Sequence, residues 1–111
     1  MLLVDGFQKN SFKLALEAGV SICMGGDVGV FTHGDNAREM EMMVDYGMKP
    51  TDVLRSATSI NADVFGYGSR IGRIKKGLWA DIIAVEGDPS LDIKNIRKVG
   101  FVMKDGIIYK Q

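Results

Sequence analysis

Histidine, cysteine and tryptophan each occur once in the 111 residues, proline occurs twice, and neither charge is in surplus. With Cys23 alone the chain cannot close an internal disulfide. Its place inside an apolar run suggests a small buried hydrophobe in a reducing compartment, so a cytoplasmic location is expected. Fourteen basic residues against fourteen acidic ones give a formal net charge of +0, which removes the field that would gather nucleic acid or anionic lipid. No apolar run approaches the roughly 18 residues of a membrane span, and Asp5 interrupts the stretch where a secretory signal keeps its apolar core. Neither nucleic acid nor a membrane is therefore expected as a partner. Gly25, Gly26 and Gly29 are not followed by the G-x-x-x-x-G-K-[ST] pattern of a phosphate cradle. What remains is 46% apolar and 25% charged, the composition of an ordinary globular domain.

The stretch around which the rest is organised is Val20 to Asn36, VSICMGGDVGVFTHGDN. A short apolar run that stops at paired glycines has the pattern of a parallel strand buried on both faces. It would deliver Asp27 to the strand's carboxyl end, the edge where α/β architectures display reacting groups. The only histidine, His33, comes later in the same loop.

Upstream, Phe12, Ala15, Leu16 and Gly19 recur at helical spacing, which predicts a short helix over 10–19 capped by Asn10 or Ser11 and closed by Gly19. Downstream, Asn36 with Glu39 three residues later predicts a capping box, with Met40, Met43, Val44 and Gly47 on the buried stripe of the helix it would start. Pro50 suits the first position of a third helix reaching about Phe65, with Lys49 or Thr51 as its cap.

Beyond residue 68 the pattern turns to β structure. Strands are expected at Ile71–Ile74 and Ala80–Val85, a turn at Gly87-Asp88-Pro89, a helical turn in 91–96, and a hairpin of 98–104 with 107–110 about Asp105-Gly106, whose type I′ geometry needs positive φ at both central residues. Arg70, Arg73, Lys75 and Lys76 read as a charged strand edge, and Trp79 as packing between the two parts.

These pieces, in this order, resemble the carboxyl-terminal part of the metal-dependent amidohydrolase superfamily, nearest to its Xaa-Pro dipeptidase and imidazolonepropionase-like branch. Gly26-Asp27 is similar to the Gly-Thr-Asp that ends the family's eighth barrel strand. His33-Gly34-Asp35-Asn36 through Glu39, then Ala57-Thr58, Asn61-Ala62 and Phe65-Gly66, resemble the loop and helices after it. Ile71-Gly72-Arg73-Ile74, Gly77, Ala80-Asp81 and Gly87-Asp88-Pro89 resemble the terminal strands.

The resemblance implies an α/β fold: residues 1–68 as the last βα units of a (β/α)8 TIM-type barrel, and 69–111 as the carboxyl-terminal strands of a small β-sandwich domain. It implies a hydrolase of amide or peptide C–N bonds, the parent a dipeptidase, with a divalent metal, zinc, in the complete enzyme. Asp27 would be the catalytic residue, metal ligand and proton shuttle, and His33 a substrate contact.

The family's His-x-His and its other ligands have no counterpart in a chain with one histidine, whereas a hydrolytic zinc takes three protein ligands. The expected entity is thus a segment, incomplete and inactive alone and holding no metal by itself, whose partner is the remainder of the barrel or a second copy. The alternative is a non-catalytic module that self-associates or completes a split barrel. Without neighbouring strands, Val20, Ile22 and Met24 would each forgo about 1.5–3 kcal/mol of burial.

Overall fold

The computed structural model describes residues 2–26 and 34–111. Its order is helix α1 (Leu2–Glu17), α2 (Ala37–Asp45), α3 (Pro50–Arg55), a π-helical turn (Ser56–Ile60) running into α4 (Asn61–Val64), strand β1 (Ile82–Val85), a 3-10 helix (Ile93–Arg97), and strands β2 (Val99–Lys104) and β3 (Ile107–Lys110). No described helix is long and apolar enough to cross a membrane.

Helix α1 starts well before the expected Asn10 or Ser11 cap. The helix-interior penalty of Asn and Ser is only a few tenths of a kcal/mol, and no proline upstream stops the turn. Its end matches expectation: Gly19 lies at φ 73, with Gly19 N–H donating to Leu16 O at 3.1 Å and Val20 N–H to Ala15 O at 3.1 Å, the Schellman closure. Helix α2 ends in the same way at Gly47, φ 113, where Met48 N–H reaches Met43 O at 3.1 Å. That turn brings Met48 back over Met43, and both are buried.

The capping box at Asn36 does not form. Asn36 has helical angles, φ −65 and ψ −24, and its side chain makes no capping bond. The first turn is closed by backbone instead, Arg38 N–H to Asp35 O at 3.1 Å and Glu39 N–H to Asn36 O at 3.3 Å. Lys49, in extended conformation, occupies the position before Pro50, so Thr51 is not the cap.

The methionine stripe is the core. Met40, Met43, Met48, Val53 and Ile93 are buried together, with Phe12, Leu16, Ile22, Met24, Val44, Leu54, Ala57 and Ile96 packed against them. Ile93 and Ile96 belong to the 3-10 helix, so the sequence beyond residue 68 closes the helical core rather than standing apart from it. Asp92 caps that helix by accepting from Lys94 N–H at 3.0 Å.

The sheet has the order β1-β2-β3 and is antiparallel throughout. Ile82 faces Met103 and Ala84 faces Phe101, while Met103 faces Ile108 and Lys104 faces Ile107. Asp105 at φ 50 and Gly106 at φ 77 give the expected hairpin turn. The tip is also tied back to the segment before β1, Asp105 N–H to Asp81 Oδ1 at 2.8 Å and Gly106 N–H to Ala80 O at 3.1 Å.

Three expectations for 70–80 are corrected. Residues 71–73 are a bend and residue 74 has no regular structure, so this stretch is not a strand. Gly72 at φ 93 sits so close to the helices that a Cβ there would lie 2.5 Å from Ala62 Cβ, a contact that a strand geometry would break. The basic cluster therefore guards no strand edge, and Arg73 instead bonds both oxygens of Asp63, at 3.1 and 2.7 Å. Trp79 is 54% exposed rather than packed between two parts.

Candidate functional site

Asp27 and His33, the residues the sequence singles out, lie outside the described residues, so the site is approached through its frame, residues 20–26 before them and 34–41 after. The 20–26 segment alternates. Ile22 and Met24 turn inward to the helical core, whereas Val20, Ser21 and Cys23 are exposed. Cys23 is therefore an exposed free thiol, contrary to the buried hydrophobe expected of it. The period of two is that of an extended strand, but the segment is not part of any described sheet. A buried strand needs covering layers on both faces, and in this chain the core covers one.

In place of a neighbouring strand, a side chain pairs with it. Met24 N–H donates to Asn61 Oδ1 at 3.1 Å, and Asn61 Nδ2 donates to Met24 O at 2.8 Å. Asn61 is the first residue of α4, directly after the π-helical turn. Each residue added to a helix rotates the next side chain by about 100°, so the wider π turn changes the face on which Asn61 emerges. π turns are frequent at functional sites. The same turn buries Ser56 completely, and its Oγ has no hydrogen-bond partner among the described residues. Thr58 Oγ1 in that turn donates back to Leu54 O at 2.7 Å.

On the far side, Gly34 at φ 88 leads into Asp35, whose carboxylate accepts from Arg97 Nη1. Arg97 lies at the end of the 3-10 helix and simultaneously forks onto Glu41 of α2, Nε to Oε2 at 2.9 Å and Nη2 to Oε1 at 2.8 Å. Glu41 is buried, with Arg38 one turn away on its own helix at 3.7 Å. The Arg97 hydrogen bonds hold the Glu41 carboxyl below its usual range against the opposing effect of burial, while Arg38 and Lys94 add smaller attractions. Glu39 is pushed upward by burial. The Arg97 guanidinium is itself held above its usual value, first by Glu41 and then by Asp35.

No group of three or more His, Cys, Asp or Glu side chains able to hold a metal occurs among the described residues. Asp35 and Glu41, two of the carboxylates that follow the loop, are both engaged by Arg97. Asn61, Glu41 and Arg97 were not anticipated as parts of the frame. Glu41 carried a signal, an acid embedded among the methionines of the α2 stripe. Asn61 carried another, an amide on a half-buried helix face. Arg97 carried none, since its partners are 56 and 62 residues away.

With this geometry in view, the chain can be set beside known proteins. It is 33% identical over 114 residues to ochratoxinase of Aspergillus niger, an alignment covering 97% of this chain and 23% of that protein. Its structure matches a Xaa-Pro dipeptidase crystallised with methionine in the active site, with TM-score 0.89 and 39% identity over 93% of this chain and 25% of that one. It also matches an amidohydrolase from Thermotoga maritima, TM-score 0.77 and 28% identity, over 93% and 26% respectively. The chain spans about a quarter of the length of these relatives. The model of the amidohydrolase family matches residues 8–110, and with the mixed helix-and-strand arrangement shared with its solved members, the chain belongs to the amidohydrolase family.

Proposed function

We propose that this chain is the carboxyl-terminal part of a hydrolase of amide or peptide C–N bonds, the parent a dipeptidase, and that Asp27 is its contribution to the catalytic centre. In this reading residues 1–68 are the last βα units of a (β/α)8 barrel and 69–111 the terminal strands of a small β-sandwich domain. The supporting observation is the extended, one-face-covered segment of residues 20–26 that runs up to Gly26-Asp27, in a chain that matches about a quarter of a Xaa-Pro dipeptidase.

A divalent metal, zinc, would be bound in the complete enzyme by Asp27 together with residues outside this chain. Such an ion supplies a water acidic enough to be hydroxide near neutral pH. Asp27, as a carboxylate, can accept a proton and return it to a leaving nitrogen, and His33 would contact substrate. The matching test is Asp27→Asn in the complete enzyme. A fall in kcat of about 100-fold or more is expected for loss of a proton-transferring group, and unchanged hydrolysis at saturating metal would sink the assignment.

The unburied sheet favours a second reading. Ile83, Ile107, Ile108 and Tyr109 are each about half exposed or more, and such a surface wants a cover, either the remainder of the barrel or a second copy of this chain. Sedimentation of the 111 residues separates them from self-sufficiency. Self-association, or capture of the complementary barrel portion supplied in trans, is expected, and a compact monomer indifferent to that portion would contradict both.

A further inference from the structure

The loop between α4 and β1 gathers cations around two adjoining recesses that the proposed hydrolysis does not use. Arg73, Lys75 and Lys76 line an open cleft of about 500 Å3 together with Asp63, Ser69 and Leu78. The same three cations also border a recess of about 200 Å3 whose apolar wall includes Ile74, Leu78, Trp79 and Ile82. We propose that these recesses together form a binding site for a small aryl phosphate, its phosphate on Lys75 and Lys76 and its ring against Trp79 and Leu78.

The loop holds its cations in fixed places. Leu78 N–H closes onto Lys75 O at 3.1 Å, and Gly77 between them has φ 93, as the third residue of a type II turn requires. Lys75 and Lys76 are therefore the two leading residues of one turn. The loop is tied at its base by Trp79 N–H donating to Arg70 O at 2.7 Å.

Charge selects the head group. Arg73 is taken up by both oxygens of Asp63, at 3.1 and 2.7 Å, which cancels its charge within the cleft. Lys75 and Lys76 make no ion pair among the described residues, so two positive charges remain. A phosphate monoester, close to a dianion at neutral pH, matches two lysines where a carboxylate matches one. Ser69 adds a hydroxyl donor to the same cleft. The apolar recess selects the body. An apolar cavity of about 150 Å3 accommodates benzene, so there is room for one ring, and Trp79, 54% exposed, offers a face on which it stacks. The site is complete within residues 63–82 and does not depend on the assignment of Asp27.

Trp79 is the only tryptophan, so its fluorescence reports on the recess. Phenyl phosphate is titrated into the 111-residue chain at fixed ionic strength, beside inorganic phosphate, benzoate and phenol. A saturable change is expected with phenyl phosphate at a concentration about 10-fold or more below that needed for inorganic phosphate or benzoate, and none with phenol. Lys75→Gln and Lys76→Gln, at exposed positions, should each raise the half-saturation concentration about 10-fold, as for loss of a charge-assisted hydrogen bond. Lys13→Gln on α1 removes the same charge from the chain and should leave binding unchanged. The proposal is overturned by the absence of a saturable change, or by equal half-saturation for phenyl phosphate and any of the partial probes. It is also overturned if binding survives in both lysine variants, or if Lys13→Gln weakens it as much as they do, which would mark unspecific attraction to the chain's charge.

Discussion

The helical part and the sheet solve the same problem to different degrees. Around α2 and α3, Met40, Met43, Met48 and Val53 are buried and Ile93 closes over them. In the sheet both strand pairs form antiparallel ladders, each with one register shift, yet none of the strand residues is buried and β3 is exposed along its whole length. Hydrogen bonding sets the shape of a sheet, but removal of apolar surface from water supplies most of its stability. The helices find their burial within this chain and the strands do not. The relatives that the chain matches are about four times as long.

The largest expected effect breaks the comparison on its strong side. Met43→Ala should destabilise by about 2–5 kcal/mol, the range for truncating a buried large side chain, whereas Ile107→Ala, at an exposed strand position, should fall within about 0.5 kcal/mol. Urea denaturation followed by circular dichroism measures both. A comparable loss for the two would mean that the sheet is covered in solution.

A smaller effect lies at the seam between the regions. Gly72→Ala places a Cβ 2.5 Å from Ala62 Cβ and 2.9 Å from Thr58 O at φ 93, and strain of this kind costs about 1–3 kcal/mol. Thermal unfolding with Gly77→Ala as a comparison tests it. Gly77 also has positive φ but nothing within 4 Å of its would-be Cβ, so the difference between the two isolates the clash.

The smallest is a pH dependence to which the Glu41 carboxyl of the helical part contributes. The folded pKa of Glu41 is depressed, so its contribution is fully present above its ordinary value of 4.5 and is lost as the pH falls through the lower folded value. Glu39 has the opposite sign. Its raised folded pKa favours the folded state at low pH, and that contribution is lost as the pH rises through the raised value. Stability should therefore fall on acidification below about pH 4.5 in the wild type, and Glu41→Gln should flatten that limb. An acid limb unaltered by Glu41→Gln would place the titration elsewhere.

Much of the frame was legible because its causes are local. The glycines that end α1 and α2, Pro50 at a helix start, the methionine stripe and the Asp105-Gly106 hairpin each arise from preferences acting within a few residues. The misses share an opposite cause. Asn36 had the right neighbours for a capping box, but backbone bonds close that turn. Residues 71–74 had strand composition, but Gly72 approaches the helix too closely for a strand. Cys23 sat in an apolar run that here has one covered face and one open one.

By itself, then, the sequence determined the helices, the hairpin and the kinship to amidohydrolases, because periodicity, turn chemistry and an ordered set of short motifs are written along the chain. Only the tertiary structure decided that the 3-10 helix closes the helical core. The same holds for Asn61 standing in for a strand beside Met24 and for Arg97 joining Asp35 to Glu41. Each of these depends on groups tens of residues apart meeting within about 3 Å, and no preference acting along the chain encodes such a meeting.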